Sequence, residues 1–338
     1  MISIVVPSLN EADNIGRLYE ELSAIAAEND YEFEFVLVDD GSTDGTWEEI
    51  LSLAKDDARV RGFSLRKSFG KSAALSVGFE AARGDIVFTL DGDLQDNPKE
   101  IPRFLEKMEE GFDVVSGWKK VRHDPWHKVG PSRVFNWLVS RITGVKLHDH
   151  NCGFKCYRRE VFNGLQLYGD LHRFIPVLAA SQGWRIDEIV VDHRARTAGQ
   201  SKYGITRIPK GLLDLFTVKF LIGYGKRPQH FLGVVGLLGF GTGSVGLFLL
   251  TSMWFLSRMF ESWSVVHLHQ RAIFYYSLAS MLLGAQLMGM GFLAALLTAS
   301  NSTQQPGYSL RATTDGDENA VAGVARVTGP VRKSAADS

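Results

Sequence analysis

The stretch Asp85-Ile-Val-Phe-Thr-Leu-Asp-Gly-Asp93 decides the fold of the first part of the chain, because it sets an apolar run directly before two carboxylates. Two similar runs precede it, Ile2-Ser-Ile-Val-Val6 and Phe33-Glu-Phe-Val-Leu-Val38, and polar residues follow each of them. Short runs that are rich in β-branched residues and apolar almost throughout are typical of strands buried on both faces of a parallel sheet.

Helical patterns fill the intervals between these runs. Between the first two, Ile15, Leu18, Leu22 and Ile25 recur at helical spacing, and residues 71–83 form a similar segment before the third. Strands that alternate with helices predict an α/β fold whose mostly parallel sheet is covered by helices. Ligands of such sheets bind beyond the carboxyl ends of the strands, and the polar clusters of this chain stand there.

Composition narrows the classes of function. The 338 residues carry a formal net charge of −1, which disfavours a nucleic-acid-binding protein. Cys152 and Cys156 lack the usual spacing of zinc ligands, and we interpret them as reduced, partly buried thiols. The first residues already read as a strand rather than as a signal peptide, so we expect the first domain in the cytoplasm.

Two long apolar segments follow the α/β part. Phe231–Ser257 and Ala272–Ala299 contain no charged residue, and each exceeds the roughly 20 residues that cross a hydrocarbon core of about 30 Å. Glycines in both would allow close contact between two helices. We therefore predict two membrane-spanning helices within 231–299 rather than a buried core hairpin.

The segment 205–230 combines apolar residues at helical spacing with interleaved basic residues, which favours a juxtamembrane amphipathic helix over a surface helix packed on the domain. Basic residues are numerous before the first span, and only Arg258 and Arg271 lie between the spans. The positive-inside rule then places the catalytic domain and the C-terminus in the cytoplasm. We predict a catalytic domain over 1–204 and, from its polar composition, a disordered tail over 300–338.

The carboxylates of Asp91-Gly-Asp93 could share a divalent cation, Mg²⁺ or Mn²⁺, which typically binds one or two carboxylates together with substrate phosphates. Such an ion would offset the charge on a departing diphosphate. Alone, this pattern also fits a solvated turn. However, Pro7-Ser-Leu-Asn-Glu11 and Asp39-Asp-Gly-Ser42 end neighbouring strands, so three polar clusters converge. The first strand is not followed by G-x-G-x-x-G, which disfavours a dinucleotide-dependent dehydrogenase.

These motifs, together with Leu90-Asp-Gly-Asp-Leu-Gln-Asp96, Asn151-Cys-Gly-Phe-Lys155 and Arg196-Thr-Ala-Gly-Gln-Ser-Lys-Tyr203, make residues 2–236 resemble the family 2 glycosyltransferases. The similar branch transfers sugars to polyprenyl phosphates and includes the dolichol-phosphate mannose synthases. The resemblance implies a GT-A fold and an inverting transfer from a nucleotide-sugar to polyprenyl phosphate at the cytoplasmic membrane face. We favour UDP over GDP as the nucleotide, and the sugar stays open.

The resemblance also implies roles for individual residues. The nucleotide would be held by Pro7, Asn10, Glu11, Asp39, Asp40 and Asp91. The metal and diphosphate would be served by Asp91, Asp93 and Gln95. The phosphate groups would be contacted by Arg122, Arg133, Arg196 and Lys202. An acceptor phosphate carries about −1.5 to −2 charges near neutral pH, so the site needs positive charge, and Lys119 and Lys120 are further candidates.

Other interpretations remain open at this point. A processive polysaccharide synthase would show Gln-x-x-Arg-Trp and more spans, whereas this chain has Gln182-Gly-Trp-Arg185. A non-catalytic membrane scaffold would be expected to lack some of the acidic residues. His148-Asp-His150 could suggest a metal site, but we favour Asp149 as a pocket residue. Membrane lipid is an expected partner, and the glycine-rich spans make a homo-oligomer possible.

Overall fold

The computed structural model describes residues 1–120, 126–163, 165, 167, 169–194, 207–224, 228–260, 267–300 and 310–313. It divides into two compact units. The first consists of Met1–Lys219 with Gln305–Ser338, and the second of Phe220–Gln304. The domain boundary predicted after residue 204 stays a prediction.

In the described residues of the first unit, eight strands form one sheet. The strands are β1 (Ile2–Ser8), β2 (Phe33–Asp39), β3 (Val60–Leu65), β4 (Ile86–Thr89), β5 (Val114–Trp118), β6 (Lys155–Arg158), β7 (Ile186–Val190) and β8 (Leu310–Thr313). Their order is β7-β5-β6-β4-β1-β2-β3-β8. β6 is antiparallel to β4 and β5, and β8 is antiparallel to β3, whereas the other pairs are parallel. The predicted mostly parallel sheet is confirmed.

Helices connect the strands. They are α1 (Ala12–Glu28), α2 (Thr46–Asp56), α3 (Lys71–Ala81), α4 (Ile101–Glu109), α5 (Trp126–Thr143), α6 (Ile175–Ser181) and α7 (Arg207–Tyr224), with 3-10 turns at Pro98–Glu100, Arg159–Phe162 and Leu171–Phe174. Two buried apolar clusters flank the sheet. Ile4 and Val6 of β1 belong to one cluster and Val5 to the other. Because successive side chains of a strand point to opposite faces, this double burial explains the continuous apolar runs.

β8 comes from the segment that we predicted to be disordered. Its residues pair with the edge strand β3, with Thr313 opposite Phe63 and Ala312 opposite Ser64. The prediction of disorder is therefore wrong for Leu310–Thr313, since an open strand edge offers a short segment a row of unpaired backbone donors and acceptors. The rest of the predicted tail beyond Ser300 lies outside the described residues.

The second unit contains two long helices, α8 (Pro228–Met259) and α9 (Ala272–Ser300). Residues 229–259 and 272–297 are apolar enough and long enough to cross a membrane, as predicted. The two helices meet at glycines: a Cβ atom on Gly236 would lie 2.7 Å from the carbonyl oxygen of Gly284. Small residues thus let the two backbones approach closely.

Candidate active site

The loops that follow β1 and β2 are tied to each other by hydrogen bonds. The backbone N–H of Asn10 donates to Ser42 Oγ at 2.8 Å, and Asn10 Oδ1 accepts from the N–H of Thr43 at 2.9 Å. The N–H of Glu11 donates to Thr46 Oγ1 at 2.9 Å. Asn10 adopts a left-handed backbone (φ 53°), which asparagine tolerates better than most residues. Asn10 and Glu11 therefore help to fix the two loops together.

Asp39 ends β2 and Asp40 directly follows it, and both are almost fully buried, with exposed fractions of 1% and 3%. Asp39 accepts from the N–H of Ser42 and from Ser64 Oγ, each at 2.9 Å. Both of its carboxylate oxygens thus already accept from protein donors. A nucleotide that donates a hydrogen bond to Asp39 would have to share these oxygens with the donors of Ser42 and Ser64.

Asp40 reaches the loop between β3 and α3. Its carboxylate accepts from Ser68 Oγ at 2.8 Å and from the N–H groups of Phe69 and Gly70 at 2.8 and 3.0 Å. Burial raises the pKa of Asp40, although these hydrogen bonds act in the opposite direction. Gly41 has φ +74°, and a Cβ there would overlap the backbone of Lys67. Asp40 therefore anchors the loop that leads into α3.

Leu90 separates β4 from the Asp91–Asp93 turn, in which Asp91 is more exposed than Asp39 and Asp40. The side chain of Asp91 is 34% exposed, whereas Asp93 is 8% exposed. Asp93 Oδ1 accepts from the N–H of Gln95 at 3.2 Å, and Leu94 has φ 60°, a strained value for leucine. The half-buried Gln95 lies on the same turn. The structure thus brings together the three residues predicted to serve the metal and diphosphate.

Two lysines from other elements face this turn. Lys71, the first residue of α3, forms an ion pair with Asp91 Oδ1. Lys119, which follows β5, lies 2.7 Å from Asp96 Oδ1. Burial would raise the pKa of Asp91, but the charges of Lys71 and Lys119 bring it down to about 2. Asp91 is therefore ionised at neutral pH.

The Asp91 carboxylate packs against the backbone of Gly153. This glycine belongs to the Asn151–Lys155 motif, and Thr89 Oγ1 donates to its carbonyl oxygen at 2.8 Å. A Cβ atom on Gly153 would lie 2.6 Å from Asp91 Oδ2. Glycine at this position therefore lets the Asp91 carboxylate pack directly against the backbone, and a larger residue would displace it.

The 3-10 turn before α6 also reaches the site. His172 Nδ1 lies 3.0 Å from Ser72 Oγ, and the backbone N–H of His172 donates to the same oxygen at 3.2 Å. Burial and the charge of Lys71 lower the pKa of His172 well below its usual range. His172 is therefore a neutral hydrogen-bonding group at neutral pH. Arg173 is buried and pairs with Asp170 at 3.2 Å.

Within the described ranges, no group of three or more His, Cys, Asp or Glu side chains is placed to hold a metal ion by itself. Asp91 and Asp93 still fit a cation such as Mg²⁺, which often binds through one or two carboxylates and completes its shell with substrate phosphates and water. His148 instead pairs with Glu188 and stacks on Trp118 at 4.0 Å. His150 is buried, with Nε2 3.0 Å from Ser140 Oγ.

The remaining predicted site residues are less closely connected with the turn. Pro7 is half-buried within β1, and Arg133 is exposed on α5. Lys120 lies over the ring of Trp118, 5.6 Å from its centroid. Arg122, Arg196 and Lys202 lie outside the described residues. Their contacts with phosphate groups stay predictions.

Sequence reasoning missed Lys71 and the anchoring role of Asp40. A lysine at the start of a helix looks like an ordinary surface residue. The available signal was its position in the sequence: Gly70-Lys71 follows β3, so it lies at the same carboxyl edge of the sheet as the acidic turns.

Comparison with known proteins gives a family match and full-length relatives. Residues 3–165 match the model of Glycosyl transferase family 2. A dodecaprenyl-phosphate galacturonate synthase of Rhizobium johnstonii is 36% identical over 317 residues, which cover 92% of each chain. An undecaprenyl-phosphate 4-deoxy-4-formamido-L-arabinose transferase of Pseudomonas aeruginosa is 35% identical, covering 88% of this chain and 85% of that protein.

Solved structures support the fold alone, since their sequence identities are low. Glucosyl-3-phosphoglycerate synthase from Mycobacterium tuberculosis, in complex with Mn²⁺ and UDP-glucose, has a TM-score of 0.51 at 20% identity and covers 66% of this chain and 78% of its own. Mannosyl-3-phosphoglycerate synthase from Rubrobacter xylanophilus has a TM-score of 0.51 at 18% identity, covering 65% and 74%. The predicted GT-A fold is confirmed.

Proposed function

This chain belongs to glycosyl transferase family 2, and we propose that it moves a sugar from a nucleotide-sugar to polyprenyl phosphate with inversion at the anomeric carbon. A phosphate oxygen of the lipid attacks that carbon, the bond to the diphosphate breaks, and the nucleoside diphosphate leaves. The observation that carries the proposal is the Asp91–Asp93 turn at the carboxyl edge of the sheet in a chain whose full-length relatives are named for polyprenyl-phosphate sugars.

On this proposal, Asp91 and Asp93 hold a divalent metal ion together with the donor diphosphate, and Gln95 assists from the same turn. Bound there, the ion would offset the negative charge that develops on the leaving group. Lys119 and Lys71 add positive charge at the same edge of the sheet.

The acceptor side is proposed to face the membrane through α5 and α7. Within the first unit these helices pack together: a Cβ on Gly211 would lie 3.1 Å from the ring of Phe135, and Lys219 Nζ donates to the carbonyl oxygen of Ile142 at 2.9 Å. Large apolar side chains nevertheless stay exposed on both helices, namely Val134 and Trp137 at 64% and Leu213 and Phe216 at 68%. Exposed apolar residues beside basic ones are typical of a helix in the lipid interface.

We also propose that the catalytic domain and the C-terminus lie on the cytoplasmic side, where nucleotide-sugars are made. The excess of basic residues before the first span supports this orientation. A lipid phosphate could then reach the site from the membrane surface without leaving it.

The test is transfer of labelled sugar to a polyprenyl phosphate in lipid nanodiscs, with and without a chelator. The donor panel begins with UDP-galacturonate and UDP-4-deoxy-4-formamido-arabinose, the sugars in the names of the two relatives, and continues with UDP- and GDP-hexoses. We expect one chelator-sensitive, lipid-linked product with inverted anomeric configuration.

Polyprenol that lacks the phosphate is the matched acceptor control, since the proposed nucleophile is a phosphate oxygen. Equal transfer to the alcohol would contradict the acceptor assignment. Full activity in the presence of the chelator would contradict the metal assignment.

A further inference from the structure

Lys71 forms an ion pair with the same carboxylate that the proposed metal requires. Its ammonium group contacts Asp91 Oδ1, and the two side chains are 26% and 34% exposed. The inference below rests on the proposed metal and donor, and it concerns how this lysine controls their binding.

The backbone before Lys71 is firmly held. The N–H groups of Phe69 and Gly70 donate to the buried Asp40, and Gly70 has φ +96°, a conformation that favours glycine. The lysine side chain, in contrast, is a flexible four-carbon stem with a compact charge at its end. Because the backbone before Lys71 is held in place and the side chain is long and flexible, the ammonium group can change partners without movement of α3.

A second lysine at this edge has its own partner. Lys119 is 14% exposed and lies 2.7 Å from Asp96, which is itself 1% exposed. The ion pair of Lys119 is therefore enclosed, whereas the pair of Lys71 is open to solvent. Of these two ion pairs, the one at Asp91 is the pair that an entering ligand can reach.

We propose that Lys71 is a counter-cation that a divalent metal must displace from Asp91, and that the displaced ammonium group then pairs with the donor diphosphate. A metal ion alone would meet a carboxylate that is already neutralised. A nucleoside diphosphate offers Lys71 a new partner and offers the metal further oxygens, so each ligand assists the binding of the other. Such coupling is reciprocal by thermodynamic necessity.

The experiment measures Mn²⁺ binding to the full-length protein in nanodiscs by the electron paramagnetic resonance signal of free Mn²⁺, with and without UDP or GDP. For Lys71→Met we expect Mn²⁺ to bind about tenfold more tightly without nucleotide, because a positive charge within about 5 Å of a divalent ion is removed. We also expect the nucleotide to increase the Mn²⁺ affinity of this variant less than that of the wild type.

Lys99→Met is the matched control, because Lys99 is an exposed lysine on the 3-10 turn Pro98–Glu100. It should leave both affinities unchanged. Lys71→Arg keeps the charge and should keep the weak binding of Mn²⁺ alone, which makes the test independent of any folding defect in the methionine variant.

If Lys71→Met and the wild type bind Mn²⁺ equally without nucleotide, Lys71 only stabilises the turn and the inference is wrong. In that case the proposed function stands, provided that the wild type still binds Mn²⁺ with UDP or GDP. A wild type that binds no Mn²⁺ under any of these conditions would overturn both the metal assignment and this inference.

Discussion

The acidic turns after β2 and β4 contain similar residues at the same edge of one sheet, yet they are built differently. Asp39 and Asp40 are 1% and 3% exposed and accept hydrogen bonds from hydroxyl and backbone N–H groups. Asp91 is 34% exposed and faces a lysine. The pKa of Asp40 is raised by burial, whereas the charges of Lys71 and Lys119 offset burial and lower that of Asp91.

This difference indicates which carboxylates are available for chemistry. A buried carboxylate whose oxygens already accept from the backbone serves mainly to fix the loops around it. A partly exposed carboxylate that is paired with a partly exposed lysine can exchange that cation for another. The same residue type at equivalent strand ends thus fixes the surrounding loops in one case and, on the proposed function, is available to a metal ion in the other.

Asp91→Asn should have the largest effect. Loss of the charge at the proposed metal site is expected to lower kcat/KM for sugar transfer about a thousandfold, since Lewis-acid stabilisation of the leaving group is worth several kcal/mol. The melting temperature should change little, because a partly exposed ion pair contributes about 1 kcal/mol or less. Transfer assays and thermal melts of the same preparation measure both. Near-normal transfer would contradict the role of Asp91.

Asp40→Asn should instead lower stability more than it lowers transfer activity. The amide nitrogen would meet the N–H groups of Phe69 and Gly70, so at least one buried donor loses its acceptor, at a cost of about 1–3 kcal/mol of unfolding free energy. We expect a lower melting temperature and, for the molecules that remain folded, transfer within about tenfold of the wild type. If activity fell as far as in Asp91→Asn while stability were unchanged, Asp40 would take part in the reaction rather than only anchor the loop before α3.

The smallest effect concerns acid stability. The pKa of Asp91 is about 2 in the folded protein against an ordinary value of 3.8, so its stabilising contribution is present above 3.8 and is lost as pH falls toward 2. The pKa of Asp40 is raised, so its ionised form costs stability, and this cost fades as pH falls through the raised pKa.

The melting-temperature gap between wild type and Asp91→Asn should therefore narrow from about pH 5 to about pH 3, while the gap for Asp40→Asn should not narrow. Solvent screening of the open pair keeps the change near 1 kcal/mol, or about 2 °C. Melts of the three proteins across this pH range provide the measurement. If the melting-temperature gaps of the two variants changed with pH in the same way, the pKa values of Asp40 and Asp91 would not be shifted in opposite directions in the folded protein.

Much of the fold could be predicted because it depends on local patterns. The apolar runs of β1, β2 and β4 locate the strands, and the lengths of α8 and α9 follow from uncharged segments. The direction of β6 could not be predicted, because four residues carry no signal for which neighbours they pair with. The same limit applies to β8, which a short segment of a polar tail forms by pairing with an available edge.

The candidate site likewise contains some residues that the sequence predicts and others that it does not. Asp91 and Asp93 were found because they directly follow an apolar run. Lys71 was missed because its partner lies 20 residues away and on another element. Asp39 and Asp40 stay predicted nucleotide-binding residues, and only the structure shows which protein donors their carboxylates already accept from.

The strand β8 also bears on how this protein should be prepared for experiments. Proteins are often shortened for crystallography by removing polar tails, and a chain cut after Ser300 would lack Leu310–Thr313. The edge of β3 would then be uncovered, and an uncovered edge is a template for pairing with another chain. A shortened protein could therefore aggregate even though its catalytic residues are complete, so the tail should be kept at least to Thr313.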